Sequence, residues 1–447
     1  MTAFDADIPL PIVDSDSPID ALLNRFTHFG VELGLERIQR LLAALGNPQT
    51  QVPILHVAGS NGKGSVCAYL SAVLTHAGCR VGRYTSPHLV SWCERICING
   101  EAIAPSTLHD LLKTVVDAID PNQSSPTQFE VITAAAWLYF AQQQVDIAVI
   151  EVGLGGRLDA TNVCDRPLVS VITSLSLEHW QRLGPTLTHI ATEKAGILKL
   201  NCPAVIAPQP EEAANILRDR LGQLHCPALW VSPARDLGNG RALEQSARYD
   251  SLPTPYSPLS IPYSLPLPGE HQLTNSALAI ATLRILQQQG WNISDTEIAE
   301  GLANTHWPAR MQWLTWRDRP LLIDGAHNSA GATMLRQYVD SSPKVTHPIS
   351  WVMGMISNKD HAEVFRALLR PGDRLFIVPV PDHITAEPKE LLAIAQSTCP
   401  DLATAKTSPD IFAGLEAAYE GAEHSTVVFC GSLYLIGHFF KLSFGGV

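Results

Sequence analysis

Short runs of consecutive apolar residues, bounded by turn formers, recur along this chain between longer stretches whose apolar positions fall three or four apart. The first pattern predicts buried strands and the second helices. Residues 20–45 carry the helical spacing and stop near Gly46 and Pro48. Residues 52–57 predict a strand, which runs into a glycine-rich loop and an alanine-rich helix from 65 to about 77. Further strands are predicted at 81–85, 146–152, 168–173 and 204–207, with helices between several of them. Residues 232–268, rich in Pro, Ser and charge, predict loops and irregular strand at a domain edge. A helix over 273–289 follows, and Pro308 provides a hinge. Beyond it come strand 321–324, helix 330–339, strand 349–353, helix 362–369, strands 374–378 and 426–430, and a terminal helix. This succession predicts an α/β protein of two domains: residues 1–305 around a mostly parallel sheet, and a smaller Rossmann-like domain over 306–447. No repeat of solenoid period is visible.

Composition agrees with two cores. A chain of 447 residues, 46% of them hydrophobic, exceeds what one core supports. Lys and Arg total 31 against 43 Asp and Glu, and a net charge of -12 disfavours nucleic acid as a partner. An anion bound here needs a local device such as aligned N–H groups, a lysine or a metal. The acidic amino terminus has neither a basic start nor an apolar core, so a cytoplasmic protein is expected. The most apolar stretch, 131–150, is interrupted by Gln142, Gln143 and Gln144, which argues against membrane insertion. Nine scattered cysteines are read as reduced thiols.

The loop Gly59-Ser60-Asn61-Gly62-Lys63-Gly64-Ser65 follows a predicted strand and opens a predicted helix. Backbone N–H groups and the positive helix end converge there on phosphate, and Lys63 neutralises its charge. Gly64 between Lys63 and Ser65 departs from the general P-loop spelling. Glu151 ends a predicted parallel strand before GLGG, where such sheets bind ligands, so a magnesium ligand is expected there. Asp324, Gly325, Ala326, His327 and Asn328 occupy a second strand end of this kind.

GSNGKGS resembles the phosphate loop of the Mur ligase superfamily, in its folylpolyglutamate synthase and dihydrofolate synthase branch. Further segments resemble that branch in order, among them TSPHL at 85–89, EVGLGGRLDATN at 151–162, SLSLEHWQRLGPTLTHIATEKAGILK at 174–199, PGEHQLTNSALA at 268–279, WPARMQWL at 307–314 and LLIDGAHNSAG at 321–331. The resemblance implies ATP and Mg²⁺, with Gly59, Asn61, Gly62, Lys63, Gly64, Ser65, Asn275, Arg310 and Asp324 at the nucleotide. Metal ligands by motif match are Ser65, Ser86, Glu151 and His179. Ser86, Pro87, His88, Phe129 and His327 fall on the substrate side, and Lys63, Lys194, Asp324 and His327 in the catalytic set. Lys194, in EKAGI, matches a lysine that the family carbamylates. Three departures are mild: Ser60 for Thr, Glu178 for Asp before His179, and Ala309 for Gly before Arg310.

The activity so implied is ATP-dependent addition of L-glutamate to dihydropteroate or to a reduced folate through an acyl phosphate, by a protein expected to be a monomer. Two readings stay open beside it. One is a P-loop phosphotransferase or nucleotide switch, and the other a Mur-type ligase of peptidoglycan synthesis.

Overall fold

The computed structural model describes residues 18–29, 32–245, 248–250, 257–357, 359–381, 385–421 and 425–444. Eighteen strands are present among them. The large lobe contains β1 (Ile54–Ala58), β2 (Val81–Tyr84), β3 (Ile96–Ile98), β4 (Glu101–Ala102), β5 (Ile147–Glu151), β6 (Val169–Ile172), β7 (Ala204–Ile206), β8 (Ala228–Trp230), β9 (Arg235–Gly238), β10 (Arg241–Leu243), β11 (Arg248–Asp250) and β12 (Tyr263–Ser264). The small lobe contains β13 (Gln312–Trp316), β14 (Arg319–Asp324), β15 (Ser350–Met353), β16 (Arg374–Ile377), β17 (Thr404–Thr407) and β18 (Val427–Cys430).

Nine strands form one sheet in the order β11-β8-β7-β6-β1-β5-β2-β3-β4, parallel from β8 to β2 and antiparallel at both edges. β1 lies between β6 and β5, with Val57 opposite both Val171 and Glu151. Consecutive apolar residues are required in strands buried on both faces, and β1 and β5 are buried along their whole length. One face is covered by the helices Lys63–His76 and His271–Gln288, whose Leu70, Val73, Leu278 and Leu283 meet Leu55, Val57, Val149 and Val171. The other carries Glu36–Ala44, Pro105–Asp117 and Gln128–Gln142 against Ile54, Ala148 and Ile150. The small lobe has six strands in the order β13-β14-β18-β15-β16-β17, parallel except for β13. Its helices cover both faces.

The structure follows the predicted strands and helices with shifts of one or two residues at their ends, adds the unpredicted strands β3, β4, β8 and β17, and departs from the pattern in three further places. Residues 20–45 do not form one helix: a turn of α-helix at Pro18–Leu23 and 3-10 helix at Asn24–Phe29 precede a separate helix, Glu36–Ala44. Gly34 is a poor helix former and turns its N–H to the carbonyl of Leu158 instead. Residues 232–268 are more ordered than expected, since β9, β10 and β12 make a small antiparallel sheet and β11 pairs with β8. Residues 246, 247 and 251–256 lie outside the described residues. The edge strand β13 arises from a segment that breaks apolar alternation.

No helix among the described residues is long and apolar enough to cross a membrane.

Candidate active site

The chain leaves β1 at Ala58 and turns through Gly59–Gly62 into the helix Lys63–His76. Gly62 caps that helix at φ +91°, and a Cβ there would fall 2.5 Å from Asn275 Oδ1. A Cβ on Gly64 would fall 2.7 Å from the ring of Trp307, so a side chain at either position displaces a neighbour. The loop is tied to the segment after β6: Ser60 N donates to Ser174 O at 3.0 Å, and Thr173 Oγ1 donates to Asn61 O at 2.7 Å. Lys63 Nζ folds back onto Gly59 O at 2.9 Å and Ser60 O at 3.2 Å. A second ammonium, Lys194 Nζ, donates to the same Gly59 O at 2.8 Å. Lys194, on the helix Leu187–Ala195, is 2% exposed and forms an ion pair with Glu178 at 2.9 Å. Burial would raise the carboxyl of Glu178, but Lys194, Lys63 and His179 outweigh it and hold that group well below the usual range. Ser65 Oγ accepts from Gln272 Nε2 at 3.4 Å, and Gln272 Oε1 accepts from Asn275 Nδ2 at 3.0 Å. Gln272 thereby joins the helix His271–Gln288 to Ser65, and Asn275 steadies it from the same helix.

Glu151, at the end of β5, accepts from Ser86 N at 3.1 Å. Burial raises its carboxyl, with Lys63, Arg310 and Arg83 working the other way, and it forms no salt bridge among the described residues. His179 stands in the left-handed region at φ 47°, a strained conformation for a non-glycine residue. Burial pulls its imidazole down to about 4, so the ring is neutral near pH 7 and keeps a lone pair. Among the described residues no three His, Cys, Asp or Glu side chains make a ready cage. Mg²⁺ needs none, because it binds through one or two carboxylates, phosphate oxygens and water. A buried carboxylate with no salt bridge among the described residues, held by Ser86 N, fits that ion.

A cavity of about 470 Å³ lies where the lobes meet. Ser86, Pro87, Phe129 and His179 line it from the large lobe, and His327, Lys359 and Tyr434 from the small one. His88 is not in the lining. Its Nδ1 accepts from Arg95 Nε at 2.9 Å, and Arg95 reaches the cavity in its place. The position expected to touch substrate therefore orders an arginine that lines the cavity.

In the small lobe, Asp324 ends β14, and its two oxygens accept from Met311 N at 2.9 Å and Ala326 N at 2.8 Å. One backbone N–H on each oxygen fixes the orientation of this buried carboxylate, and the charge of Arg310 acts on it. Arg310 lies against Gly325. His327 Nδ1 is 2.8 Å from Gly325 O, which assigns its proton there and leaves Nε2 as an acceptor. Burial lowers this imidazole to about 3. Asn328 Nδ2 donates to Asn61 Oδ1 at 3.2 Å and ties the small lobe to the phosphate loop.

Two family models match this chain, the Mur ligase middle domain over residues 57–283 and the C-terminal domain of dihydrofolate synthetase over 309–442. The chain is 35% identical over 425 residues to the probable dihydrofolate synthetase of Schizosaccharomyces pombe, covering 92% of this chain and 98% of that protein. It is also 35% identical over 425 residues to the folylpolyglutamate synthase of Lacticaseibacillus casei, covering 92% and 94%. This chain belongs to the dihydrofolate synthase/folylpolyglutamate synthase family. Crystal structures agree: the Mycobacterium tuberculosis folylpolyglutamate synthase complexed with ADP and AMPPCP superposes with a TM-score of 0.82 at 28% identity, over 96% of this chain and 99% of that one. The Escherichia coli FolC in complex with DHPP and ADP superposes with a TM-score of 0.78 at 28% identity, over 96% and 98%.

Membership in the dihydrofolate synthase/folylpolyglutamate synthase family sets aside the nucleotide-switch and peptidoglycan readings. The cavity of this family member also contains residues that its sequence did not single out, namely Arg95, Thr127, Asp159 and Lys359. Arg95 and Asp159 are buried charges, 8% and 3% exposed. Asp159 falls inside a segment that carries the family resemblance, 151–162. In sequence, however, a charge in a glycine-rich loop or beside a strand reads as solvated, and only the fold shows these two turned inward.

Proposed function

We propose that this protein joins L-glutamate to the carboxylate of dihydropteroate, and to the glutamyl tail of reduced folates, with ATP as the activating reagent. The observation that carries the reading is the cavity shared by the lobes, lined by Ser86, Phe129 and His179 on one side and by His327 and Lys359 on the other, with Asn328 tying the small lobe to the phosphate loop beside it. We take residues 1–305 as the ATP-binding domain and 306–447 as the domain that presents glutamate.

A carboxylate is a poor electrophile, and its conversion to a mixed anhydride with phosphate makes it reactive. The substrate carboxylate attacks the γ-phosphorus and ADP departs. The glutamate amine then attacks the acyl carbon, the acyl C–O bond breaks, and phosphate and a proton leave. Lys63 leaves the carbonyls of Gly59 and Ser60 to meet phosphate oxygens, with Ser65 and the helix N-terminus beside it. Ser65, Ser86, Glu151 and His179 would hold Mg²⁺, which supplies charge neutralisation at the transferred phosphoryl group. Phe129 offers a ring for the pterin end of the substrate. His327 has too little proton affinity to act as a base near pH 7, so its Nε2 orients the incoming amine. Closure of the two lobes keeps water from the acyl phosphate.

The test is transfer of radiolabelled glutamate to dihydropteroate and to tetrahydrofolate in separate assays, with a UDP-linked peptidoglycan precursor as the comparison. Glutamate-dependent ADP release with both folates, lost in a folded Lys63→Ala variant, is expected. Turnover of the peptidoglycan precursor alone, or full turnover by Lys63→Ala, overturns the reading.

A further inference from the structure

His56 is the one polar side chain in β1, a strand buried along its whole length, and it is 1% exposed. Side chains alternate along a strand, so His56 points to the same side as Ile54, toward the helix Gln128–Gln142 and away from the phosphate-loop helix. Burying an imidazole in an apolar strand costs free energy unless it is hydrogen-bonded. Its partner is Thr161 Oγ1, at 2.9 Å from Nε2. Thr161, itself fully buried, donates its hydroxyl proton to Asp159 Oδ1 at 2.6 Å. With that proton committed, the contact to His56 is carried by Nε2–H, which fixes the ring's tautomer and the hydroxyl's direction at once. Asp159 is held further by Thr161 N on Oδ1 at 3.0 Å and by Leu154 N on Oδ2 at 2.8 Å. It is the end of this chain that reaches the cavity wall, near Phe129 and Gly153.

We propose that His56 is a positioning residue that sets the Asp159 carboxylate, through Thr161, for the pteroate substrate. The arrangement runs in one direction: Nε2–H of His56 to Thr161, Thr161 to Asp159, and Asp159 to whatever donor the bound substrate presents. A valine or leucine would fill the space in β1 equally well, so packing alone does not require an imidazole there. Each donor in such a chain polarises the next, and loss of the first loosens the last. The nucleotide side is untouched, because Lys63, Asn275 and Ser65 lie across the sheet from this chain.

This inference rests on the glutamate-ligase reading, and its experiment separates the two. Binding of dihydropteroate to the nucleotide-free full chain is measured by intrinsic fluorescence, beside KM for dihydropteroate and ATP, kcat and Tm. His56→Leu and Thr161→Val are each expected to weaken dihydropteroate about tenfold in Kd and KM, with kcat and the KM for ATP within about twofold. His56→Gln, which restores an N–H of similar reach, is expected to recover most of the affinity. The double variant is expected to be no weaker than Thr161→Val alone, as two members of one chain should be. Independent, additive losses overturn the proposal, as does equal loss in the ATP and dihydropteroate constants. Should His56→Leu fail to fold, Thr161→Val and His56→Gln decide: wild-type affinity in Thr161→Val overturns it. A wild-type protein that neither binds dihydropteroate nor ligates glutamate overturns the ligase reading instead.

Discussion

Asn328 Nδ2 donates to Asn61 Oδ1 at 3.2 Å across the lobe boundary, while Asn328 Oδ1 accepts from Gly331 N at 2.8 Å and caps the helix Ser329–Ser341. The two ends of one amide thus do separate work, and a substitution can remove one end without the other. Asn328→Asp keeps the cap, since aspartate is as good at that position, but loses the donor and sets a negative charge beside the phosphate loop. It is expected to leave Tm unchanged and to lower kcat/KM by about tenfold or more. Asn328→Ala should also cost the fold about 1 kcal/mol through the lost cap. Steady-state kinetics and a thermal melt of both variants check this. An Asn328→Asp protein with wild-type kcat/KM removes the contact from the closed state.

Glu151 and His179 predict a change in metal requirement rather than a uniform loss. Glu151→Gln keeps the acceptor for Ser86 N but removes the negative charge, and His179→Ala removes a neutral nitrogen donor. Each should raise the magnesium concentration for half-maximal activity by about tenfold, and the loss should shrink as magnesium is raised. The pH profile of the wild type has a sign as well. His179 titrates near 4, so its lone pair is present throughout the neutral range and is lost only as pH falls toward that value. A magnesium titration unchanged in both variants withdraws the two side chains from the metal.

How much of this was legible in the sequence depends on the kind of residue. Gly59 to Ser65 could be placed from spelling alone, because glycines, a lysine and a strand-loop-helix order are dictated by what phosphate needs. Ala309 is instructive in another way: the resemblance flags it as a departure from glycine, and the structure finds it at φ 60°, the left-handed region where glycine costs least. His88 is in the right neighbourhood with the wrong aim, since spacing gives the loop but not which atom an imidazole faces. His56, Thr161 and Asp159 could not be joined in sequence at all. They lie more than a hundred residues apart at their extremes, and only the pairing of β1 with β5 and the loop after β5 brings them together.

Glu244 gives a pH-dependent prediction away from the chemistry. Burial pushes its carboxyl up from 4.5 to about 7, with the N–H of Leu259 and Arg284 pulling the other way and Asp295 adding to the rise. A group raised in the folded state contributes its stability below the unfolded value, and that contribution is lost as pH rises through the folded value. The protein should therefore lose stability at this site between about pH 4.5 and 7 on raising the pH. Glu244→Gln accepts from Leu259 N without ionising, so it should stabilise by on the order of 2 kcal/mol at pH 8 and by little at pH 5. Denaturant midpoints of wild type and variant at both pH values check this. An equal gain at the two pH values rules out titration as its cause.

Lys194 carries the last prediction, because family resemblance and local geometry point to opposite charges for it. A carbamylated lysine would be an anion at the end of a long stem. In the structure the Nζ atom lies 2.9 Å from Glu178 and 2.8 Å from Gly59 O, and both are acceptors. Burial lowers the Lys194 ammonium, but Glu178 favours keeping it charged. We therefore expect Lys194 to work as a cation that neutralises Glu178 and pins the carbonyl of Gly59, holding the start of the phosphate loop. Removing one partner of a buried pair strands the other at a cost of about 3–5 kcal/mol, so Lys194→Ala and Glu178→Gln should both be severely impaired. Small alkylammonium ions should partly restore Lys194→Ala, whereas formate and acetate should not. The wild-type activity should be indifferent to added bicarbonate, and the intact mass should carry no carboxyl adduct. Rescue by acetate together with bicarbonate dependence would assign the carbamate, and Glu178 would then be a neighbour that the metal, not the lysine, keeps in place.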